Sequence, residues 1–160
     1  MPLVKLLLEH DRRLGIAGRT WNGALKLLEF VASHSGLFQN KRIIELGAGT
    51  GVLGIGVDVI LSCQDNHILH SHSVTVTDLK EAVALMQSNI LLNEARRTSA
   101  AELCWGKTDL SNFSAPYDVV VMAEVAYLPE TYAALAATIS SLCSQETLVL
   151  HGLPPPNPIE

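Results

Sequence analysis

The chain has 160 residues, 48% of them hydrophobic, and a formal net charge of −5. That length suits one domain with a real core, and basic residues that cluster only as short pairs speak against polyanion, and so nucleic-acid, binding. The three cysteines, at 63, 104 and 143, form no close pair. They argue against a disulfide framework or zinc ribbon and for a reducing compartment, the cytoplasm or nucleus.

In chain order, the opening "MPLVKLLLEHDRR" is apolar but broken by Lys5, with no small-residue cleavage site after it. It makes a poor signal peptide, and no run approaches the roughly 18 apolar residues of a membrane span. "NGALKLLEFVASH" sets Ala24, Leu27, Leu28 and Val31 on one helical face, with Asn22 expected to cap its start. "KRIIEL" reads as a buried strand, followed by a glycine loop and a helix through "GVLGIGVDVIL". "SCQDNHILHSH" is expected to be a polar surface loop. Strands follow at "SVTVTDL", "SAAELCW", "YDVVVMA" and "ETLVLHG", separated by helices at "KEAVALMQSNILLNEA" and "PETYAALAATISSLC". This alternation predicts an α/β fold, a Rossmann-like doubly wound parallel sheet covered on both faces. Residues 1–152 form the single expected domain and the proline-rich 153–160 a tail.

Ligands of open parallel sheets sit beyond the carboxyl ends of the strands. Those ends offer Glu45 with the loop 47–51, then Asp78, Trp105 and the pair Ala123–Glu124. A glycine loop between strand and helix exposes backbone amides to a ligand, and Gly49–Gly54 also fits the dinucleotide pattern G-x-G-x-x-G. Asp78 suits two ribose hydroxyls, and it equally suits the N-cap of the helix that follows. Cys63, His67, His70 and His72 fall within ten residues, but the polar composition around them favours a loop over a zinc site.

The blocks "TWNGALKLLEFV", "ELGAGTGVLG", "VTVTDL", "SNILLN", "ELCWG" and "MAEVAYLPE" follow one another as in the seven-strand S-adenosylmethionine-dependent methyltransferases. The chain resembles methyltransferase family 16, the small protein-lysine methyltransferases, and within it the valosin-containing-protein group. The resemblance implies a class I methyltransferase sheet that uses S-adenosyl-L-methionine to methylate a lysine of a protein substrate. It implies that Gly47, Ala48 and Gly49 line the methionine part of the cofactor, with Glu45 beneath its amino group. Asp78 would take the ribose, Trp105 would flank the adenine, Ala123 would offer backbone, and Trp21 would close the pocket. The family's Asp-x-x-Tyr motif corresponds to Glu124-Val125-Ala126-Tyr127, an acid one methylene longer. Glu124 and Tyr127 are the expected catalytic pair: the carboxylate holds the incoming lysine, and the ring supplies an aromatic wall and a cation–π contact. For Trp21 and Trp105 core filling is the alternative, for Glu124 a solvated strand-end position, and for Tyr127 ordinary packing.

After the fifth strand the family continues with further sheet strands, whereas this sequence reads "GLPPPNPIE". The expected consequence is a fold truncated there, with the fifth strand as an exposed edge open to self-association. Two further readings stand beside the lysine methyltransferase. One is a truncated isoform or regulatory protein that binds S-adenosylmethionine without catalysis, and the other is a nicotinamide-dependent oxidoreductase sharing the glycine loop.

Overall fold

The computed structural model describes residues 5–63 and 71–153. His67, His70 and the tail from residue 154 onward lie outside the described residues. Five strands, β1 Arg42–Leu46, β2 Ser73–Asp78, β3 Thr98–Glu102, β4 Val119–Ala123 and β5 Leu148–Gly152, form one sheet in the order β3-β2-β1-β4-β5. Every neighbouring pair is parallel. Four helices, α1 Asn22–Ser33, α2 Val52–Cys63, α3 Lys80–Leu92 and α4 Tyr132–Leu142, cover it. The winding reverses between β1 and β4, which opens a crevice at their carboxyl ends.

Strand alternation sorts the core into two layers, because successive side chains leave a strand on opposite faces. Ile43, Val74, Val76, Val119 and Val121 meet Val31 of α1, Leu53 and Val57 of α2 and Met86 of α3. Ile44, Leu46, Val120 and Met122 meet Leu135 and Leu142 of α4. Both layers are apolar, and the central strands β1 and β4 are the most continuously buried. The α2 helix approaches the sheet through Gly54, where a methyl group would fall 2.3 Å from Val76 Cγ1.

Three local expectations are corrected. Asn22 does not cap α1: the N-cap position is Trp21, and no cap bond comes from its side chain. The third strand ends at Glu102 rather than 105. Its partner β2 stops at Asp78, so the ladder closes with the Leu103 amide donating to the Asp78 carbonyl at 2.8 Å, and the next amide, Cys104, turns instead to the Thr108 hydroxyl at 2.7 Å. The α3 helix ends at Leu92 rather than 95, since Glu94 takes φ 50°.

Periodicity was also silent about the segment before α1. Two asparagines of the "SNILLN" block hold it. Asn93 exchanges hydrogen bonds with the Leu7 backbone at 2.8 and 2.6 Å, and Asn89 does so with Glu9 at 2.7 and 3.2 Å. One helical turn apart, these amides imitate a strand neighbour. Asn89 also donates to the Thr50 carbonyl at 2.9 Å, which ties the segment to the glycine loop.

Candidate functional site

A cavity of about 620 Å³ lies at the carboxyl ends of β1, β2 and β4, within the range of about 300–1,000 Å³ common for small-molecule sites. All ten predicted site residues line it: Trp21, Glu45, Gly47, Ala48, Gly49, Asp78, Trp105, Ala123, Glu124 and Tyr127. They come from five separate segments, so the fold alone brings them together.

The floor is the turn from β1 to α2. Gly47 has φ 66°, and a methyl group there would fall 2.7 Å from Val125 Cγ1 and 3.2 Å from Trp105 Cζ2. Glycine is demanded twice at this position, by the left-handed backbone and by the close approach of neighbours. The Ala48 amide is engaged by the Thr77 carbonyl at 2.9 Å. Thr50, 1% exposed, is the one residue described as having a buried side-chain polar atom without a partner. A buried unpaired hydroxyl costs roughly 1–3 kcal/mol.

Two acidic residues, Glu45 and Asp78, line this part of the cavity. Glu45 is 2% exposed, and its Oε2 accepts from the Gly54 amide at 2.8 Å. Burial pushes its pKa up to about 8; the Gly54 amide opposes the rise and the Asp78 charge adds to it. Asp78 accepts the Gly49 amide on Oδ2 and the Leu79 amide on Oδ1, both at 2.7 Å. Burial raises its pKa too, against those amides and with the nearby Glu81. It is not the N-cap of α3, a position held by Leu79. A carboxylate has about four acceptor sites, so Asp78 retains capacity for two hydroxyl donors.

The N-terminal segment forms the roof. The Ala17 carbonyl lies against Gly49, 2.8 Å from where a methyl group would sit. The Trp21 indole donates to the Ile16 carbonyl at 3.1 Å and stays 39% exposed. Trp105 packs against the second core layer from the opposite wall.

Glu124, expected to hold the incoming lysine or else to be solvated at the strand end, has its carboxylate engaged within the fold. Its Oε1 accepts the Gly23 amide at 2.6 Å, so it caps α1 from a different part of the chain. Its own amide donates to the Gly152 carbonyl at 2.9 Å. Glu124 holds φ 52°, a left-handed conformation that costs a side-chain-bearing residue about 1–2 kcal/mol. The two bonds offset that strain. Tyr127, 52% exposed, stands at the rim beside Leu128.

Reasoning from sequence placed Thr50 only within the candidate loop, without a role, and missed Arg19 and Lys107; all three also line the cavity. The two cations are single residues in irregular segments, with no pattern around them to read. The histidine segment also needs correction, because His72 is not in a polar surface loop. It is 3% exposed, at the other end of the sheet, with Nε2 2.8 Å from Asp58 Oδ1 and Nδ1 3.2 Å from Arg97 Nη1. The acidic partner sits 14 residues earlier, inside α2, where no local pattern announces it. Among the described residues no group of His, Cys, Asp and Glu is arranged to hold a metal ion.

A family model described as lysine methyltransferase matches residues 2–154. The chain is 37% identical over 133 residues to EEF1A lysine methyltransferase 3 of Mus musculus, covering 82% of this chain and 53% of that protein. It is 36% identical over 143 residues to protein N-lysine methyltransferase METTL21A of Xenopus tropicalis, covering 87% and 61%. The chain thus spans between half and two thirds of the length of these relatives. Among solved structures it is similar to the S-adenosylmethionine-dependent methyltransferase SibL in its apo form, with TM-score 0.62 and 16% identity over 80% of this chain and 35% of that one. The sheet is therefore of the Rossmann-like class I methyltransferase type.

Proposed function

As the chain belongs to the lysine methyltransferase family, we propose that it binds S-adenosyl-L-methionine in the cavity above β1, β2 and β4 and serves protein-lysine N-methylation. The observation that carries this reading is the convergence on one cavity of ten predicted residues from five separate segments, beside an orphaned Thr50 hydroxyl. The family match, not the G-x-G-x-x-G pattern, favours this nucleoside over a nicotinamide dinucleotide.

The residues present fit such a cofactor. Asp78 accepts ribose hydroxyls, Trp105 and Trp21 supply flat apolar faces for the base and the lid, and the backbone around Gly47 and Gly49 admits the methionine part. Arg19 and Lys107 are the lining cations suited to its carboxylate, and Glu45 faces its amino group. When bound, the cofactor supplies an electrophilic methyl group on a sulfonium. The protein's task is then to present a neutral amine. A lysine ammonium, with a reference pKa of about 10.4, must lose its proton before it can act as nucleophile, and the apolar lining favours the uncharged form. Tyr127 and Leu128 at the rim wall the entry of the lysine stem.

The target assignment is part of the proposal. Motif resemblance favours the valosin-containing-protein group, whereas the relatives are named as an EEF1A lysine methyltransferase and as METTL21A. Action in the cytoplasm or nucleus is supported by free Cys63, Cys104 and Cys143. Among the described residues no helix is long and apolar enough to cross a membrane. Self-association through β5, an edge of the described sheet with Val149 42% exposed, completes the reading.

Radiolabelled methyl transfer from S-adenosylmethionine to lysate proteins, followed by mass-spectrometric location of the label, tests the function. Label on lysine is expected. Calorimetric binding of the cofactor without any transfer overturns the enzyme in favour of a non-catalytic binder, and the absence of a binding heat overturns both.

A further inference from the structure

Glu124 sits where three chain segments close on one another. Gly23, the second residue of α1, and Gly152, the last of β5, approach so tightly that a methyl group on Gly152 would fall 2.5 Å from the Gly23 carbonyl oxygen. A methyl group on Gly23 would meet the Gly152 carbonyl at 2.8 Å and Glu124 Cγ at 2.9 Å. Into this junction Glu124 sends its carboxylate to the Gly23 amide and its own amide to the Gly152 carbonyl. The first turn of a helix carries amides without intrahelical partners and a partial positive charge, and a carboxylate answers both needs. The α1 sequence offers no cap of its own, with Trp21 at the N-cap position and no acidic residue in the first turn.

We propose that Glu124 is a positioning residue that pins the start of α1 to the end of β4 and thereby holds Trp21 and the roof segment over the cofactor cavity. Trp21 is two residues before the pinned amide and lines the cavity, so any drift of the α1 start moves the roof directly. The pin also explains the length of the acid. Glu124 must span from the strand end to an amide on another element, and aspartate, one methylene shorter, leaves Gly23 unpaired. The accepted bond is the larger part of the pin and the charge at the helix start the smaller, which separates it from a carboxylate that holds a lysine ammonium. Glutamine keeps the acceptor and loses the charge.

This inference rests on the proposed cofactor site for its effect on affinity, and on geometry alone for the cap. Hydrogen exchange at the Gly23 amide reads the cap without any ligand. Calorimetry with S-adenosylhomocysteine reads the roof, and steady-state methyl transfer separates kcat from KM. Glu124→Ala and Glu124→Asp are expected to speed Gly23 exchange and weaken S-adenosylhomocysteine about tenfold, the size of one lost helix cap. Glu124→Gln is expected to keep both within about threefold of wild type, with kcat preserved. Unchanged Gly23 exchange or ligand affinity in Glu124→Ala overturns the pin. So does a Glu124→Gln variant that retains protection and affinity but loses kcat, because charge would then be what matters. If wild type binds no S-adenosylhomocysteine while Gly23 protection still follows residue 124, the methyltransferase reading fails and the cap stands.

Discussion

Glu45, in β1, and Asp58, in α2 beside the other end of the sheet, expose equally little surface, 2% and 1%. Burial alone would raise both pKa values, yet the two move in opposite directions. At Asp58 it is outweighed by hydrogen bonds from the His72 ring, the Arg97 amide and the Thr98 hydroxyl, which hold the carboxyl below the usual range. Because a guanidinium only donates, the contact from Arg97 makes His72 Nδ1 an acceptor and leaves Nε2–H to face Asp58. At Glu45 one amide bond leaves burial in command, and the pKa rises to about 8. A carboxylate saturated with donors belongs to the frame, whereas one buried with a single donor on a cavity wall keeps acceptor capacity to spare.

The largest expected loss of stability breaks the frame end. Asp58→Ala strands the His72 ring, the Arg97 amide and the Thr98 hydroxyl together, and should destabilise the fold by about 3–5 kcal/mol in urea denaturation. A loss under about 1 kcal/mol would mean the network is ornamental.

Glu45 gives the opposite signature. Its folded pKa of about 8 lies above the ordinary 4.5, so the folded state holds a proton that the unfolded chain gives up. Stability from this group is full below pH 4.5 and is lost as pH rises through about 8. Glu45→Gln, which still accepts the Gly54 amide, should remove that slope and leave the ligand-free protein more stable at about pH 9, by about 5 kcal/mol if the whole shift is expressed. The pH dependence of urea midpoints for the two proteins checks this.

Binding sharpens the contrast next. Asp78→Ala should weaken S-adenosylmethionine by about 1–3 kcal/mol, read by calorimetry, through loss of the ribose acceptor and release of the Gly49 amide. The smallest effect belongs to the rim. Tyr127 has a half-exposed ring, so Tyr127→Phe should leave stability within about 0.5 kcal/mol and cofactor affinity unchanged. Tyr127→Ala should raise KM for the protein substrate about tenfold at constant cofactor Kd, by removing the wall.

The legible part of the molecule was the part written in short-range pattern. Alternating apolar strands and helices yielded, within a few residues, the five strands and four α-helices of the described residues, because periodicity reflects which face is buried. The glycine loop and Asp78 were legible because turn geometry and strand ends leave local marks. Asn89 and Asn93 were visible only as part of a resemblance, and their work in clamping the segment at Leu7 and Glu9 could not be read from α3.

By itself the sequence determined the element order and pointed to ten of the residues that line the cavity, since each follows from contacts within a few positions or from a recognisable block. Tertiary structure decided the state of the charged groups. Glu124 became a cap because Gly23, 101 positions away, arrived within hydrogen-bond reach. His72 became a buried partner because Asp58 arrived from α2. Solvation and hydrogen bonding of a charge depend on everything packed around it, and that neighbourhood exists only once distant segments have closed.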